Sequence, residues 1–339
     1  MPGEIRVIQY GLGAIGSAVA RHVVEREGLE LAGAVDVDPA KAGRDAGDVL
    51  GLGRPLGWTV AVTLAQALAR TQADVVLHTT RSYFDLFQPQ IVEILQAGLD
   101  VVSTAEELAF PWHAHPGEAA EIDALARRVG KRVLATGVNP GFLMDALPLH
   151  LTALCQRVDR IDVRRVINAS KRRGPFQAKI GAGMTVDAFR AEMNAGRMGH
   201  VGLPESIAMV FDTLGKMLVR YESHVEPVVA DRPVRTEYVQ AQPGQVIGLR
   251  QVARAYTEEG EFMTLTFVAA LDVEGACPEL AEGEQDTIVL TGQPSLEVTL
   301  KGTNGDLATV AIVVNAVRRL RQAAPGLVTM RDLPIVTWW

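Results

Sequence analysis

A glycine-rich turn is the first feature of the sequence that could do chemistry. Residues 11–16 have the spacing G-x-G-x-x-G and come directly after a β-branched run. In this motif Gly11 permits a tight turn, Gly13 lets the backbone approach a pyrophosphate, and Gly16 lets the following helix pack on the strand. Backbone N–H groups at the helix N-terminus then carry the phosphate charge. The sequence therefore predicts a dinucleotide-binding loop made of Gly11, Leu12, Gly13, Ala14, Ile15 and Gly16.

An acidic residue stands where the adenosine ribose of such a dinucleotide would lie. Asp36 ends the second predicted strand, 20 residues after Gly16. A carboxylate there accepts both ribose hydroxyls and repels a 2′-phosphate, which favours NAD over NADP. Lys41 and Arg44 follow closely, and either can swing toward a 2′-phosphate, although exposed surface charge is the more usual role of such residues. The predicted cofactor is NAD or NADP, with NAD favoured and dual use left open.

Short polar segments follow two further predicted strands, Val75–His78 and Val101–Ser103. Ligands of parallel sheets bind beyond the carboxyl ends of the strands, so these segments are expected to meet the nicotinamide. The residues concerned are Thr79 and Thr80 after the first strand and Ala105 after the second.

Alternating strands and helices must position these residues. The predicted strands are Ile5–Gln9, Leu29–Val37, Val60–Thr63, Val75–His78, Val101–Ser103 and Arg132–Ala135, and the predicted helices are Ile15–Glu27, Leu64–Arg70, Gln88–Ala97 and Pro116–Val129. Strands separated by helices of this length imply right-handed crossovers. The fold class is α/β, with a doubly wound parallel Rossmann sheet.

The alternation changes beyond about Phe142. Strand-like runs occur at Ile161–Ile167, Gln245–Tyr256, Phe262–Val273, Thr287–Leu290 and Leu296–Lys301, with helical patterns at Val186–Met193, Pro204–Val219 and Asp306–Arg321. Hairpin-like runs with few helices predict an antiparallel sheet with helices on one face. The expected domains are a Rossmann domain (1–142), an α+β domain (143–305), and a C-terminal helix and tail (306–339) returning to the Rossmann domain.

Composition and charge exclude several classes of protein. The 339 residues are 48% hydrophobic and 22% charged, with a net charge of −7, which argues against disorder and against nucleic-acid binding. Two cysteines fit a reducing cytoplasm. No leader is expected before the first strand, and no apolar stretch reaches the roughly 18–20 residues of a membrane span. His113 and His115 lack the further ligands that zinc needs, so no metal is expected.

Several motifs together resemble a known family. They are S-T-A-E-E-L at 103–108, G-V-N-P-G-F-L-M-D at 137–145, T-N-G-D at 303–306 and P-G-L at 325–327, taken with the glycine turn. The chain resembles, along almost its whole length, the native amine dehydrogenases and 2,4-diaminopentanoate dehydrogenases, relatives of dihydrodipicolinate reductase.

The resemblance implies reversible NAD(P)-dependent oxidative deamination. In the reductive direction a small ketone or aldehyde and ammonia give a primary amine. The family's catalytic glutamate falls on Glu106 and its pocket asparagine on Asn139. Glu107 competes with Glu106, but an adjacent side chain should point to the opposite side of the chain.

A carboxylate also suits this chemistry on physical grounds. It can bind ammonium, take its proton to free the nucleophile, and stabilise the cationic iminium that awaits hydride. The alternative is that Glu106 and Glu107 merely begin a helix, where acidic side chains favour the positive end of the dipole.

The substrate pocket is expected where the two domains meet, lined by Leu143, Met144, Asn168 and Phe176. Core packing explains Leu143, Met144 and Phe176 equally well. A basic cluster between Arg164 and Arg173 could hold an acidic substrate, although a solvated loop or subunit contact is the more usual role of such a run.

Three hypotheses follow for the function. The first is an amine dehydrogenase acting on a small, mostly apolar carbonyl or amine. The second is 2,4-diaminopentanoate dehydrogenase itself or another imine reductase of the dihydrodipicolinate type. The third is a non-enzymatic NAD(P)-sensing regulator, which has no need of a proton-transfer carboxylate. Relatives suggested by the resemblance are dimers, and an open sheet face needs cover, so a homodimer formed through the second domain is expected.

Overall fold

The computed structural model describes residues 4–273 and 275–339, which divide into two units. The first unit contains the residues up to Phe142 together with Asn304–Trp339, and the second contains Leu143–Thr303. The second unit thus ends two residues before the boundary expected at 305.

The residues up to Phe142 alternate strands with helices, as the sequence predicts. The strands are β1 (Ile5–Tyr10), β2 (Leu29–Val35), β3 (Val75–His78), β4 (Asp100–Ser103) and β5 (Arg132–Ala135), and the helices are α1 (Ala14–Glu25), α2 (Ala46–Leu50), α3 (Leu64–Leu68), α4 (Phe84–Gln96) and α5 (Pro116–Arg128). Local signals set several boundaries: the Thr63 side chain caps α3, and Pro116 opens α5 at a position where its missing N–H costs nothing.

The second unit begins with a short helix and is built mainly from long strands. Its helices are α6 (Ala146–Thr152), α7 (Gly174–Lys179), α8 (Val186–Asn194) and α9 (Leu203–Thr213), and its strands are β6 (Arg157–Asn168), β7 (Arg220–Val229), β8 (Val234–Arg235), β9 (Gln240–Ala241), β10 (Val246–Thr257), β11 (Gly260–Ala270), β12 (Gln285–Gln293) and β13 (Leu296–Lys301).

The chain then returns to the first unit through α10 (Gly305–Leu320) and β14 (Gly326–Val328). Strand β14 pairs in parallel with β5, which completes a six-stranded parallel sheet of order β14-β5-β4-β3-β1-β2. The predicted Rossmann architecture is confirmed. The expected strand Val60–Thr63 is wrong, because Ala61 forms only an isolated bridge to Val35 and the segment leads directly into α3.

The sheet of the second unit has the order β13-β12-β6-β11-β10-β7 and is mixed, whereas the sequence predicted an antiparallel sheet. The difference lies in β6 and β11, which pair in parallel. More than 90 residues separate these strands, which is ample for the crossover that parallel pairing requires. The helix expected over Pro204–Val219 ends at Thr213, and Val219 instead leads into β7.

One face of this second sheet is buried and the other is open. Ile161, Val163, Leu265 and Ile288 belong to the core of the unit. On the opposite face, central-strand residues such as Asp162, Thr264, Thr266 and Thr287 are only half-buried, although they lie in the middle of the sheet.

Candidate active site

The glycine turn between β1 and α1 is so tightly packed that side chains are excluded at two positions. Gly11 has φ +91°, and a Cβ on it would lie 2.7 Å from the carbonyl oxygen of Thr79. A Cβ on Gly16 would lie 2.0 Å from the carbonyl oxygen of Gly11. Both positions therefore require glycine for steric reasons, as the motif predicts.

The same turn is open on its outer side. A Cβ on Gly13 would meet no atom of residues 4–273 or 275–339 within 4 Å, and both Gly13 and Ala14 are exposed. Among the described residues no side chain caps the N-terminus of α1, and its first turn carries no acidic residue. Such a combination leaves backbone N–H groups and a positive helix end facing open space, which suits an anionic pyrophosphate.

Asp36 follows β2 and is held against the glycine turn. Its Oδ2 accepts a hydrogen bond from the Leu12 N–H at 2.7 Å, and its Oδ1 accepts one from the Asp38 N–H at 2.8 Å. Lys41 Nζ lies 3.4 Å from Asp36 Oδ2 and 3.1 Å from Asp38 Oδ2. Arg44, by contrast, donates to the carbonyl of Ala40 within its own segment.

The two threonines that follow β3 direct their hydroxyls into the protein. The hydroxyl of Thr79 donates to the Gly11 carbonyl at 2.9 Å and accepts from Gln9 Nε2 at 2.7 Å. Thr80 donates to Gln90 Oε1 at 2.6 Å. Their side chains thus support the glycine turn and α4.

The adjacent glutamates after β4 differ sharply in their surroundings. Glu107 Oε2 accepts the Phe84 N–H at the start of α4 at 2.5 Å and lies 3.7 Å from Nε2 of His115. The half-buried carboxylate of Glu106 makes no hydrogen bond or ion pair with any residue that the structure describes. Glu106 and Glu107 open a short 3₁₀ turn that ends at Leu108, with no longer helix to explain the pair.

Asn139 follows β5, is 8% exposed, and precedes a cis peptide bond to Pro140. In the sheet order β2-β1-β3-β4-β5, the carboxyl ends of neighbouring strands lead to Asp36, the glycine turn, Thr79, Ala105–Glu106 and Asn139 in turn. Because all five strands are parallel, these segments lie along one edge of the sheet.

The remaining predicted pocket residues belong to the second unit. Met144 is fully buried in its core and Leu143 is 2% exposed. Phe176 packs on the same core, with the Arg172 guanidinium 5.7 Å from its ring. Asn168 ends β6 and accepts the Ser170 N–H through its side chain. Their roles in substrate binding stay predictions.

The basic cluster is not a uniform solvated loop. Arg164 and Arg165 lie within β6, and Arg165 forms a buried ion pair with Asp286 at 2.9 Å. Burial lowers the pKa of Arg165 and raises the pKa of Asp286, because both ions lose water. The positive charge of Arg165 is therefore already compensated by Asp286 within the unit.

A buried polar network was missed by sequence reasoning. His78, Ser103 and Gln90 are linked by hydrogen bonds beneath the edge that carries Glu106. The one available signal is a histidine that ends an otherwise apolar strand, V-V-L-H.

Within the residues 4–273 and 275–339, no group of three or more metal-ligating side chains comes together. Across the same residues, no helix combines the length and apolar character needed to cross a bilayer.

Two family models cover most of the chain. Residues 142–339 match the 2,4-diaminopentanoate dehydrogenase C-terminal domain, and residues 5–103 match the dihydrodipicolinate reductase N-terminus. A 2,4-diaminopentanoate dehydrogenase of Acetoanaerobium sticklandii is 33% identical, over 98% of this chain and 94% of that protein. The chain belongs to the 2,4-diaminopentanoate dehydrogenase family.

Two amine dehydrogenases are also similar to this chain, one by its sequence and one by its solved structure. An amine dehydrogenase of Streptomyces virginiae is 25% identical over 98% of this chain and 96% of its own length. The structure of an amine dehydrogenase from Mycobacterium smegmatis is 26% identical, covers 100% of this chain and 98% of that chain, and superposes with a TM-score of 0.87. The predicted family resemblance is confirmed, and the protein is an oxidoreductase with a nicotinamide dinucleotide cofactor.

Proposed function

We propose that the protein is an amine dehydrogenase that interconverts a small ketone or aldehyde and a primary amine. In the reductive direction, carbonyl, ammonium, NAD(P)H and one proton give the alkylammonium ion, water and NAD(P)⁺. The observation that carries the proposal is the carboxylate of Glu106 at the edge of the sheet, which bonds to none of the residues 4–273 and 275–339, whereas Oε2 of the adjacent Glu107 accepts the Phe84 N–H.

The first unit has the features that fit the cofactor. The open N-terminus of α1 at Gly13 would hold the pyrophosphate, and Asp36 would accept the adenosine ribose hydroxyls. When bound, the nicotinamide exchanges a hydride with the substrate carbon. Thr79 supports the loop through its hydroxyl, whereas Ala105 would approach the cofactor through its backbone.

The cofactor preference is proposed to be NAD, with NADP also accepted. The carboxylate of Asp36 repels a 2′-phosphate, but Lys41 Nζ, 3.4 Å away, offsets part of that charge and can itself meet the phosphate. Arg44 is exposed and uses only Nη1, which donates to the Ala40 carbonyl at 3.1 Å, so its other guanidinium N–H groups can also meet the phosphate.

Glu106 is proposed to move the protons. As a carboxylate it takes a proton from ammonium, which frees the ammonia lone pair to attack the carbonyl carbon. It returns a proton to the departing hydroxyl, which leaves as water, and its charge stabilises the iminium cation. Glu107 is less suited to this role, because its Oε2 accepts the Phe84 N–H and lies 3.7 Å from His115 Nε2, which holds its carboxylate at the start of α4.

We propose Asn139 as the polar group of the substrate pocket, because it follows the strand adjacent to β4 and is almost fully buried. We keep Leu143, Met144, Asn168 and Phe176 as further proposed pocket residues, on their places in the sequence alone.

A second candidate, 2,4-diaminopentanoate dehydrogenase itself, is favoured by the higher identity to that enzyme. A diamino acid also presents a carboxylate, which needs a cation. Arg165 is unsuited to this role, since Asp286 already neutralises it at 2.9 Å. A non-enzymatic NAD(P) sensor is disfavoured, because it would not need an unpartnered carboxylate at Glu106.

The test is NAD(P)H consumption with a panel of small carbonyls, with and without concentrated ammonium, beside NAD(P)⁺ reduction with 2,4-diaminopentanoate. We expect consumption that depends on ammonium. Consumption without ammonium would identify an ordinary carbonyl reductase, and turnover restricted to the diamino acid would favour the second candidate.

We further propose a cytoplasmic homodimer. The half-buried open face of the second unit's sheet, with Thr264, Thr266 and Thr287 on central strands, is a surface that a second copy would cover. Light scattering should report twice the 36.5 kDa chain mass across a dilution series, and a constant single-chain mass would refute this assembly.

A further inference from the structure

The network beneath Glu106 begins where β3 and β4 end side by side. His78 and Ser103 are the last residues of these strands and are partners in the sheet register. Both are fully buried. His78 Nδ1 lies 2.9 Å from Ser103 Oγ, and His78 Nε2 lies 2.7 Å from Gln90 Oε1 on α4.

The partners of His78 determine which ring nitrogen carries the proton. Oε1 of the Gln90 side chain can only accept, and the Thr80 hydroxyl, 2.8 Å from Nε2, already donates its proton to Gln90 Oε1, so Nε2 must be the donor. Burial lowers the pKa of His78 to about 4, so the ring is neutral near pH 7 and Nδ1 is an acceptor. Ser103 therefore donates its hydroxyl proton to Nδ1.

Because Ser103 donates its proton to His78, its oxygen can still accept a hydrogen bond. The donor is a backbone N–H at the start of the next turn. The Ala105 N–H donates to Ser103 Oγ at 3.0 Å. Ala105 is 2% exposed and immediately precedes the turn that begins at Glu106. A buried N–H needs an acceptor, so this bond sets the backbone from which the Glu106 side chain departs.

We propose that His78, in its neutral Nε2–H form, is a positioning residue for Glu106, acting through the Ser103 hydroxyl on the Ala105 peptide. The kinetic part of this inference rests on the proposed role of Glu106 in proton transfer. The structural part, that His78 and Ser103 hold the 105–108 turn, does not.

Two substitutions of His78 separate the two sides of its ring. An asparagine amide reaches about as far as Nδ1, so His78→Asn keeps an acceptor for Ser103. A glutamine amide reaches about as far as Nε2, so His78→Gln keeps the link to Gln90 but loses the link to Ser103. Ser103→Ala removes the acceptor of the Ala105 N–H directly.

The matched control lies at the other end of the same strand. Asp100, the first residue of β4, is 5% exposed and accepts the Arg132 N–H at 2.9 Å. Asp100→Ala also leaves a buried backbone donor without its partner, but at the amino edge of the sheet, away from Glu106.

Amination kinetics and hydrogen exchange of the 104–109 peptide are measured on all four variants of the full chain. Because small misplacements of reacting groups cost up to about 10²-fold, we expect kcat to fall about 10–100-fold in Ser103→Ala and His78→Gln. The KM for the cofactor should change less than kcat, because the glycine turn and Asp36 are untouched and only the Ala105 peptide, which would approach the cofactor, is displaced. Exchange of the 104–109 peptide should be faster in these two variants. His78→Asn should recover most of kcat, and Asp100→Ala should keep both kcat and the exchange pattern of 104–109.

The proposal is overturned if Ser103→Ala or His78→Gln, once folded, keeps wild-type exchange at 104–109. It is overturned equally if His78→Asn and His78→Gln lose kcat to the same extent. A wild-type enzyme without ammonium-dependent turnover would instead refute the proposed function. In that case hydrogen exchange alone decides whether His78 and Ser103 hold the turn.

Discussion

Glu106 and Glu107 are adjacent and chemically identical, yet we expect their substitution to have opposite effects: loss of activity at Glu106 and loss of stability at Glu107. Glu106→Gln removes no hydrogen bond or ion pair to the described residues, so the free energy of unfolding should change by less than about 0.5 kcal/mol. Without an ionised carboxylate, amination should fall by about 10²–10⁴-fold, the usual contribution of general acid–base catalysis.

Glu107→Ala should do the reverse. It removes the acceptor of the Phe84 N–H and a negative charge from the N-terminus of α4. Loss of such a cap costs about 1–2 kcal/mol, whereas kcat should stay close to that of the wild type. Glu107→Gln keeps an acceptor oxygen and should be milder in stability.

Initial rates at saturating ammonium and urea unfolding curves are measured for Glu106→Gln, Glu107→Ala and Glu107→Gln. We expect Glu106→Gln to lose activity and keep stability, and Glu107→Ala to lose stability and keep activity. Fluorescence titration with NADH serves as a control, because Glu106→Gln should keep cofactor binding. A dead Glu107→Gln beside an active Glu106→Gln would place the proton-transfer group one residue later. Normal amination by both variants would refute the carboxylate mechanism.

Three further predictions concern the buried histidine and the cofactor loop. The pKa of His78 falls from 6.5 to about 4 on folding, so the unfolded chain takes up this proton first and stability is lost as the pH falls through that window. Urea unfolding at about pH 7 and about pH 4.5 should show a loss of about 2–3 kcal/mol that is absent in His78→Asn. Asp36→Ala should shift the ratio of kcat/KM for NAD(H) and NADP(H) toward NADP(H), and an unchanged ratio would remove Asp36 from the ribose. Gly16→Ala should abolish NADH binding measured by fluorescence, because its Cβ would lie 2.0 Å from the Gly11 carbonyl oxygen, and retained affinity would contradict the packing of the loop.

The strands and turns of the first unit that depend on short stretches of sequence could be predicted from the sequence. The strands Val75–His78 and Arg132–Ala135 lie at the predicted residues, because fully buried parallel strands are short apolar runs with clear ends. The glycine turn and the position of Asp36 follow from a spacing of a few residues and a fixed strand–turn–helix geometry. Such features depend on neighbours in the chain, so the chain itself specifies them.

The tertiary structure decided the features that depend on distant partners. The parallel pairing of β6 with β11 and the ion pair of Arg165 with Asp286 join residues about 100 or more positions apart, and no local pattern encodes their meeting. The same reason separates Glu106 from Glu107. They are adjacent and of the same type, and it is Phe84, 23 residues earlier in the chain, that binds the carboxylate of Glu107, whereas none of the described residues binds that of Glu106.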